Sequence, residues 1–143
     1  MGPAEVISAS AIVAGFGVTA IMFRVQRELY VLEVLEVGIA WLAWADYLVV
    51  ISVALAVFGS TLPLLIFPVV GRSIMAIAAS SCAAALVLLA GYVPAILAHY
   101  RIELGARRKG AREKGEPIER WIVIASCICA SLSFSATLIF RLL

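Results

Sequence analysis

Charged residues are scarce in this chain of 143 residues, since only 14% are Asp, Glu, Lys or Arg. Soluble domains carry roughly 25%, and the 64% of hydrophobic residues exceeds their usual share of roughly 45 to 50%. So few polar side chains cannot cover a surface that faces water, which excludes an ordinary soluble fold. The high hydrophobicity also excludes an intrinsically disordered chain. The composition therefore predicts a protein of the lipid bilayer.

Cysteine and histidine are rare too, with three Cys and one His. Three cysteines cannot all pair with one another, which excludes a disulfide scaffold. Cys127 and Cys129 point to nearly opposite sides of a helix, so they cannot form the Cys-x-x-Cys pair of a thiol oxidoreductase. His99, taken as lacking an oriented partner, is interpreted as a polar anchor rather than a general base. The sequence predicts no enzyme, no metal site and no cofactor.

Four apolar runs are long enough to cross a bilayer, which takes about 20 helical residues. They cover residues 6–23, 45–67, 73–99 and 121–140. Because these runs use more than half of the chain, the sequence predicts a single membrane domain over residues 1–143. The predicted fold is an all-α integral membrane bundle of four transmembrane helices, joined by longer connections at 24–44 and 100–120.

Basic residues are distributed unequally between the two sides of this bundle. Nine of the eleven Lys and Arg residues lie in the connections 24–44 and 100–120. Since Lys and Arg stay on the cytoplasmic side, both connections are expected inside and both termini outside. The predicted location is a prokaryotic inner (plasma) membrane. The chain start lacks the basic region of a cleaved signal peptide, so the first span is expected to be retained.

The connection after the first span is rich in charge, with two basic and three acidic residues in 24–37. It predicts a helix that lies at the cytoplasmic interface or extends the first span beyond the membrane. In an oligomer, acidic side chains from each copy would form rings at the cytoplasmic entrance of a pore, as they do in cation channels. The candidate residues are Glu33, Glu36 and Asp46. A solvated charged face is the simpler alternative.

The depth of Asp46 depends on where the second span begins. A start near Val37 would put this carboxylate inside the membrane, whereas a start near Trp44 would make it interfacial. Trp41, Trp44 and Tyr47 recur every three residues, as in an aromatic belt at the level of the headgroups. This spacing favours the interfacial position.

Small residues recur at four-residue spacing on three spans, where they let helix backbones approach closely in lipid. The predicted packing positions are Gly15, Ser80, Ala84, Cys129 and Ser133. The fourth span carries a second small stripe, so one face is available for another copy and we expect a homo-oligomer. The alternative is that small residues are simply common in membrane helices. A passive pore would be lined by hydroxyls, those of Ser131, Ser133, Ser135 and Thr137.

The second connection holds a basic cluster within residues 105–115. Its members are Arg107, Arg108, Lys109, Arg112 and Lys114. Near an anionic leaflet each contributes about 1 kcal/mol, so the cluster is expected to bind lipid headgroups or a protein partner. Simple anchoring on the cytoplasmic side would explain it as well. No aromatic residue lies between the cations to stack on bases, so nucleic acid is not an expected partner.

Two functions remain open from the sequence. The first is a small homo-oligomeric pore or transport protein, suggested by the leftover packing faces and the acidic cluster. The alternative is a non-conducting accessory or scaffold subunit whose basic loop binds a partner or anionic lipid. No charge lies at the centre of a predicted span, which argues against a proton-coupled carrier or a voltage sensor.

Overall fold

The computed structural model describes residues 2–35, 43–67, 70–100 and 116–143. Helix α1 covers Pro3–Leu35, α3 covers Arg72–Tyr100 and α4 covers Glu116–Leu142. Helix α2 covers Trp44–Ile66 in three parts, which are α-helical Trp44–Ala54, π-helical Leu55–Thr61 and α-helical Leu62–Ile66. The described residues contain no strand. The predicted all-α class is confirmed for this part of the chain.

Each of the four helices contains a stretch long and apolar enough to cross a membrane. These stretches are Pro3–Arg27, Trp44–Ile66, Arg72–His99 and Ile118–Leu142. Helix α1 continues well beyond the first stretch, because its 33 residues make it about 50 Å long, against about 30 Å for a hydrocarbon core. Of the two predicted forms of the segment after the first span, the structure shows the extension of the helix.

Helices α2 and α3 form the centre of the bundle. Each packs against α1 on one side and against α4 on the other. Half of the most apolar stretch of α3 is buried, against only 11% for α4. The core is built largely from Ala, Val and Leu, including Val13, Leu48, Ala56, Ala85 and Leu88. The most apolar stretches of α1 and α4, 22% and 11% buried, are the least covered of the four candidate spans in the described chain.

A glycine lies at each of three helix contacts and brings the backbones close together. The three pairs are Gly17 with Val53 (α1 and α2), Gly59 with Ser81 (α2 and α3) and Gly91 with Ser126 (α3 and α4). A Cβ atom on Gly59 would lie only 2.7 Å from the hydroxyl oxygen of Ser81. Because helices in lipid associate through close van der Waals packing rather than the hydrophobic effect, these contacts set the spacing of the bundle.

Hydroxyl groups also join the helices inside the core. The hydroxyl oxygens of Ser10 on α1 and Ser60 on α2 lie 2.6 Å apart, within hydrogen-bond distance. Ser52 on α2 donates to the carbonyl oxygen of Ala85 on α3 at 2.7 Å. Hydrogen bonds of this kind contribute about 0.6 kcal/mol on average between membrane helices. They support the packing that the glycines allow.

The π-helical part of α2 directly precedes Pro63. Proline lacks an N–H, and in an α-helix its ring would clash with the carbonyl four residues earlier, that of Gly59. Wider π-helical turns before Pro63 relieve this clash. The Thr61 hydroxyl donates to the Ala56 carbonyl oxygen at 2.9 Å, which satisfies one backbone acceptor in the irregular segment.

The predicted packing residues differ in how deeply the single chain buries them. Ser80 and Ala84 on α3 are buried inside the bundle. Gly15 and Cys129 are exposed, and a Cβ on Gly15 would meet no atom within 4 Å. Ser133 is partly buried. Gly15 and Cys129 therefore do not hold the single chain together, and their contact with a second copy stays a prediction.

We expect Gly91→Ala to destabilise the bundle by about 1 to 3 kcal/mol, because the added methyl group would clash with Ser126, which is short and already hydrogen-bonded to its own helix. The matched control is Gly15→Ala, where a methyl group meets open space and alanine favours the helix. Thermal unfolding in detergent, followed by circular dichroism, compares the two. Equal unfolding temperatures for both variants would contradict this account of the α3–α4 contact.

Candidate functional site

Ionisable side chains from all four helices meet at one end of the bundle. They form two pairs: Arg24 of α1 makes an ion pair with Asp46 of α2, and His99 of α3 lies within hydrogen-bond distance of Glu119 of α4. We call this group of four residues the ionic end. Neighbouring helices run in opposite directions. The ends of the first and third candidate spans therefore lie at the same end of the bundle as the starts of the second and fourth.

Glu119 is the most deeply buried of these residues, with only 1% of its surface exposed. One carboxylate oxygen, Oε1, accepts a hydrogen bond from the backbone N–H of Ala45 at 2.8 Å. The other, Oε2, lies 2.8 Å from Nδ1 of His99. A single carboxylate on α4 therefore connects this helix to both α2 and α3.

The start of α2 explains why a carboxylate is stable in this position. The first N–H groups of a helix have no partner within the helix and carry the positive end of its dipole. Asp46 Oδ2 accepts from the N–H of Ala43 at 3.1 Å, and Glu119 accepts from that of Ala45. Two carboxylates thus satisfy the beginning of α2, one from the same helix and one from α4. This pairing offsets the cost of burying charge.

Asp46 lies in the first turn of α2, which begins at Trp44. This start agrees with the alternative in which the second span begins near Trp44, for which the sequence predicts an interfacial Asp46. Its Oδ2 atom also accepts from Nε of Arg24 at 3.2 Å, and both side chains are largely buried, at 13% and 10% exposed. In the single chain, Asp46 is therefore engaged with α1 and does not face an open mouth.

The remaining residues of the predicted acidic ring are not part of this cluster. Glu33 is exposed on the extension of α1, and Glu36 lies outside the described residues. The basic cluster also lies outside the described residues, namely Arg107, Arg108, Lys109, Arg112 and Lys114. The acidic ring and the role of the basic loop both stay predictions.

Aromatic side chains cover the outer side of the ionic end. The guanidinium carbon of Arg120 lies 5.1 Å from the centroid of the Trp44 ring, a cation–π contact between α4 and α2. The ring of Tyr47 lies 6.3 Å from that of Trp44, centroid to centroid, at a tilt of 50°. Trp44, Tyr47 and Trp121 are all exposed. Of the aromatic belt that the sequence predicts, Trp44 and Tyr47 are exposed on α2, and Trp41 lies outside the described residues.

The predicted hydroxyl lining is divided between two faces of α4. Ser131 and Ser135 are exposed, whereas Ser133 and Thr137 are partly buried towards the bundle. Residues two apart in a helix are separated by about 200°, so consecutive members of this set point in nearly opposite directions. A shallow open groove at the far end of α4 is lined by Ala136, Thr137, Phe140 and Arg141. A pore lined by these hydroxyls therefore stays a prediction. It would require more than one face of α4 to line the pore.

The geometry changes the interpretation of His99. Its sequence neighbours predict a polar anchor without an oriented partner, but the structure places its Nδ1 atom 2.8 Å from a carboxyl oxygen of Glu119. The signal was available, because neighbouring antiparallel helices joined by one connection bring the end of the third span level with the start of the fourth. Glu119 was missed because it follows a charged connection and was assigned to that connection.

The ionic end joins helices rather than offering an open ligand site. Both carboxyl oxygens of Glu119 have hydrogen-bond partners within the protein, the N–H of Ala45 and Nδ1 of His99. Within the described residues, no group of three or more His, Cys, Asp or Glu side chains is placed to hold a metal ion. The arrangement connects the four helices at one end of the bundle, next to the contact between Arg120 and Trp44.

No family model, no curated protein and no solved structure matches this chain.

We expect Glu119→Ala to destabilise the protein by about 3 kcal/mol or more, because it leaves the N–H of Ala45 without its acceptor and removes the partner of His99. Glu119→Gln keeps an amide oxygen for Ala45 and should lose less. The control is Glu33→Ala, which removes an exposed carboxylate from α1. Thermal unfolding in the same detergent measures all three. If Glu119→Ala and Glu33→Ala unfold at the same temperature, the carboxylate does not hold the helices as described.

Proposed function

We propose that this chain is an integral membrane protein that self-associates into a small homo-oligomeric pore or transport protein. The observation that carries the proposal is the presence of two opposed faces on α1. One face, with Val13 and Gly17, is buried in the bundle. The other presents Ala11, Gly15 and Thr19 at four-residue spacing, and all three are exposed. Small residues at this spacing favour close contact with another helix.

The exposed face of α1 suits a helix partner because its polar group is already satisfied. The Thr19 hydroxyl donates to the backbone carbonyl oxygen of Gly15 at 2.8 Å, within the same helix. The face therefore presents no unsatisfied hydroxyl to lipid or to a neighbour. A second copy can approach as closely at Gly15 as α2 approaches at Gly17. The exposed flank of α4, with Ala125 and Cys129, offers a similar surface on the opposite side of the bundle.

The packing of the single chain favours a solute path between copies rather than through one copy. The contacts of Gly17, Gly59 and Gly91 bring neighbouring helices together along the bundle. The buried serines between them are small and join helix to helix. Exposed hydroxyls on α4, those of Ser131 and Ser135, lie outside this packed interior. An assembly of several copies is therefore the form in which transport is proposed.

The proposed orientation places the ionic end in the cytoplasm. The connections at this end hold most of the basic residues, and Lys and Arg stay on the cytoplasmic side. The extension of α1 then projects from the membrane into the cytoplasm and carries Glu33 at its surface. In an oligomer assembled through α1, these carboxylates would come near the axis and attract cations.

We expect Gly15→Leu to reduce the number of subunits while leaving the fold of each chain intact, because a Cβ at this exposed position has no neighbouring atom within 4 Å, whereas a leucine would separate two α1 helices. Native mass spectrometry of protein extracted gently from the membrane gives the subunit number. Ala90→Leu on the exposed side of α3 is the control for added bulk, and circular dichroism checks the fold.

An oligomer of unchanged size in Gly15→Leu would contradict assembly through α1. A wild-type protein that is monomeric, or that occurs only in a complex with a different protein, would contradict the homo-oligomer itself. The second result would favour the accessory or scaffold function, in which the basic loop binds the partner.

A further inference from the structure

Arg120 directly follows Glu119 of the ionic end, and its surroundings differ from those of Arg24. Arg24 is largely buried and donates to Asp46, whereas Arg120 is exposed and lies over the ring of Trp44. From this contact we infer that Arg120 and Trp44 form a binding site for the phosphate of an anionic phospholipid. The inference concerns a surface of the single chain and does not depend on self-association.

The nearby carboxylates leave the charge of Arg120 available. Asp46 is bound by Arg24 and by the N–H of Ala43. Glu119 is bound by the N–H of Ala45 and lies against His99. Over the described ranges of the chain, Arg120 forms no ion pair of its own. The carboxylates of Asp46 and Glu119 are therefore engaged with other partners, and neither of them pairs with Arg120.

The contact with Trp44 orients the guanidinium group without using its hydrogen-bond donors. A cation–π contact is an attraction between the positive charge and the ring, and it uses none of the N–H donors of the guanidinium group as hydrogen bonds to the protein. These donors match two oxygens of a phosphate in a bidentate arrangement. An arginine held against a ring loses less side-chain freedom when it binds than one that moves freely in solvent. Trp44 thus prepares Arg120 for an anion.

The position of this pair along the helices matches the level of lipid headgroups. Trp44 is the first residue of the second candidate span, and Arg120 lies at the start of the fourth, which begins at Ile118. Exposed Tyr47 and Trp121 lie beside them in the sequence and also favour the boundary between lipid and water. A phosphate at Arg120 would therefore be at the depth where a phospholipid carries it.

Apolar side chains continue from this pair towards the centre of the candidate spans. Ile124 and Ile128 follow Arg120 at four-residue spacing on α4, and both are exposed. Ile51, two helical turns after Trp44 on α2, is exposed as well. Such a surface suits acyl chains that extend from a headgroup bound at Arg120. The combination of a cation at the boundary and an apolar surface below it fits a phospholipid better than a free phosphate ion.

The inference is tested with purified protein in nanodiscs that contain equal amounts of phosphatidylglycerol and phosphatidylcholine. Native mass spectrometry counts the lipids of each kind that stay bound after the nanodisc is removed. Wild-type protein should retain phosphatidylglycerol in preference to phosphatidylcholine. Arg120→Gln should bind phosphatidylglycerol about tenfold more weakly, the loss expected for one charge-assisted hydrogen bond. Trp44→Leu keeps the cation but removes the ring, and it should show a smaller loss.

Arg141→Gln is the matched control, because Arg141 lies at the opposite end of α4. It should retain as much phosphatidylglycerol as the wild type. Arg120→Lys, which keeps the charge, provides a second test if Arg120→Gln does not fold, and it should bind more weakly than the wild type. Equal retention of both lipids by the wild type, or unchanged retention in the Arg120 variants, overturns the inference. The same spectra report the subunit number, so failure of the lipid site and failure of self-association are read separately.

Discussion

A buried carboxylate needs partners for both of its oxygens, and in this protein that requirement connects three of the four helices. Glu119 on α4 satisfies it with the N–H of Ala45 at the start of α2 and with His99 at the end of α3. The start of α2 is suited to this role, because its N–H groups lack partners and carry the positive end of the helix dipole. Asp46 uses the same helix start and binds Arg24, which adds α1 to the cluster. The ionic end thereby sets the relative register of all four helices.

Away from this end, the bundle depends on close packing rather than charge. Glycines at three helix contacts allow backbones to approach, and the serine hydroxyls bond across the gaps or to their own helices. Because these contacts use one face of α1 and one face of α4, the opposite faces are left uncovered. The same physical property, a small side chain at four-residue spacing, therefore serves the interior at Gly17 and is proposed to serve the assembly at Gly15.

The sequence predicted the helical class and the four apolar stretches, because hydropathy reports directly on segments of that length. It did not identify which small residues face the interior. Gly15 and Gly17 lie on the same helix and are alike in composition, and only the placement of α2 distinguishes them. One connection joins the helices of His99 and Glu119 and brings both residues to the same end of the bundle, but each alone resembles an ordinary residue at a span boundary. Their pairing depends on how two helices are aligned, which hydropathy does not determine.

The central claim is that the Glu119 carboxylate caps the start of α2, and a direct distance measurement tests it most closely. Solid-state NMR of protein in lipid bilayers, labelled with 15N at the Ala45 amide and 13C at the Glu119 carboxyl, measures the dipolar coupling between the two nuclei. The hydrogen bond of 2.8 Å predicts a nitrogen–carbon separation of about 4 Å or less. Nuclei that are not joined by a hydrogen bond can lie more than about 6 Å apart, where the coupling is too weak to detect. The absence of a detectable coupling would contradict the account.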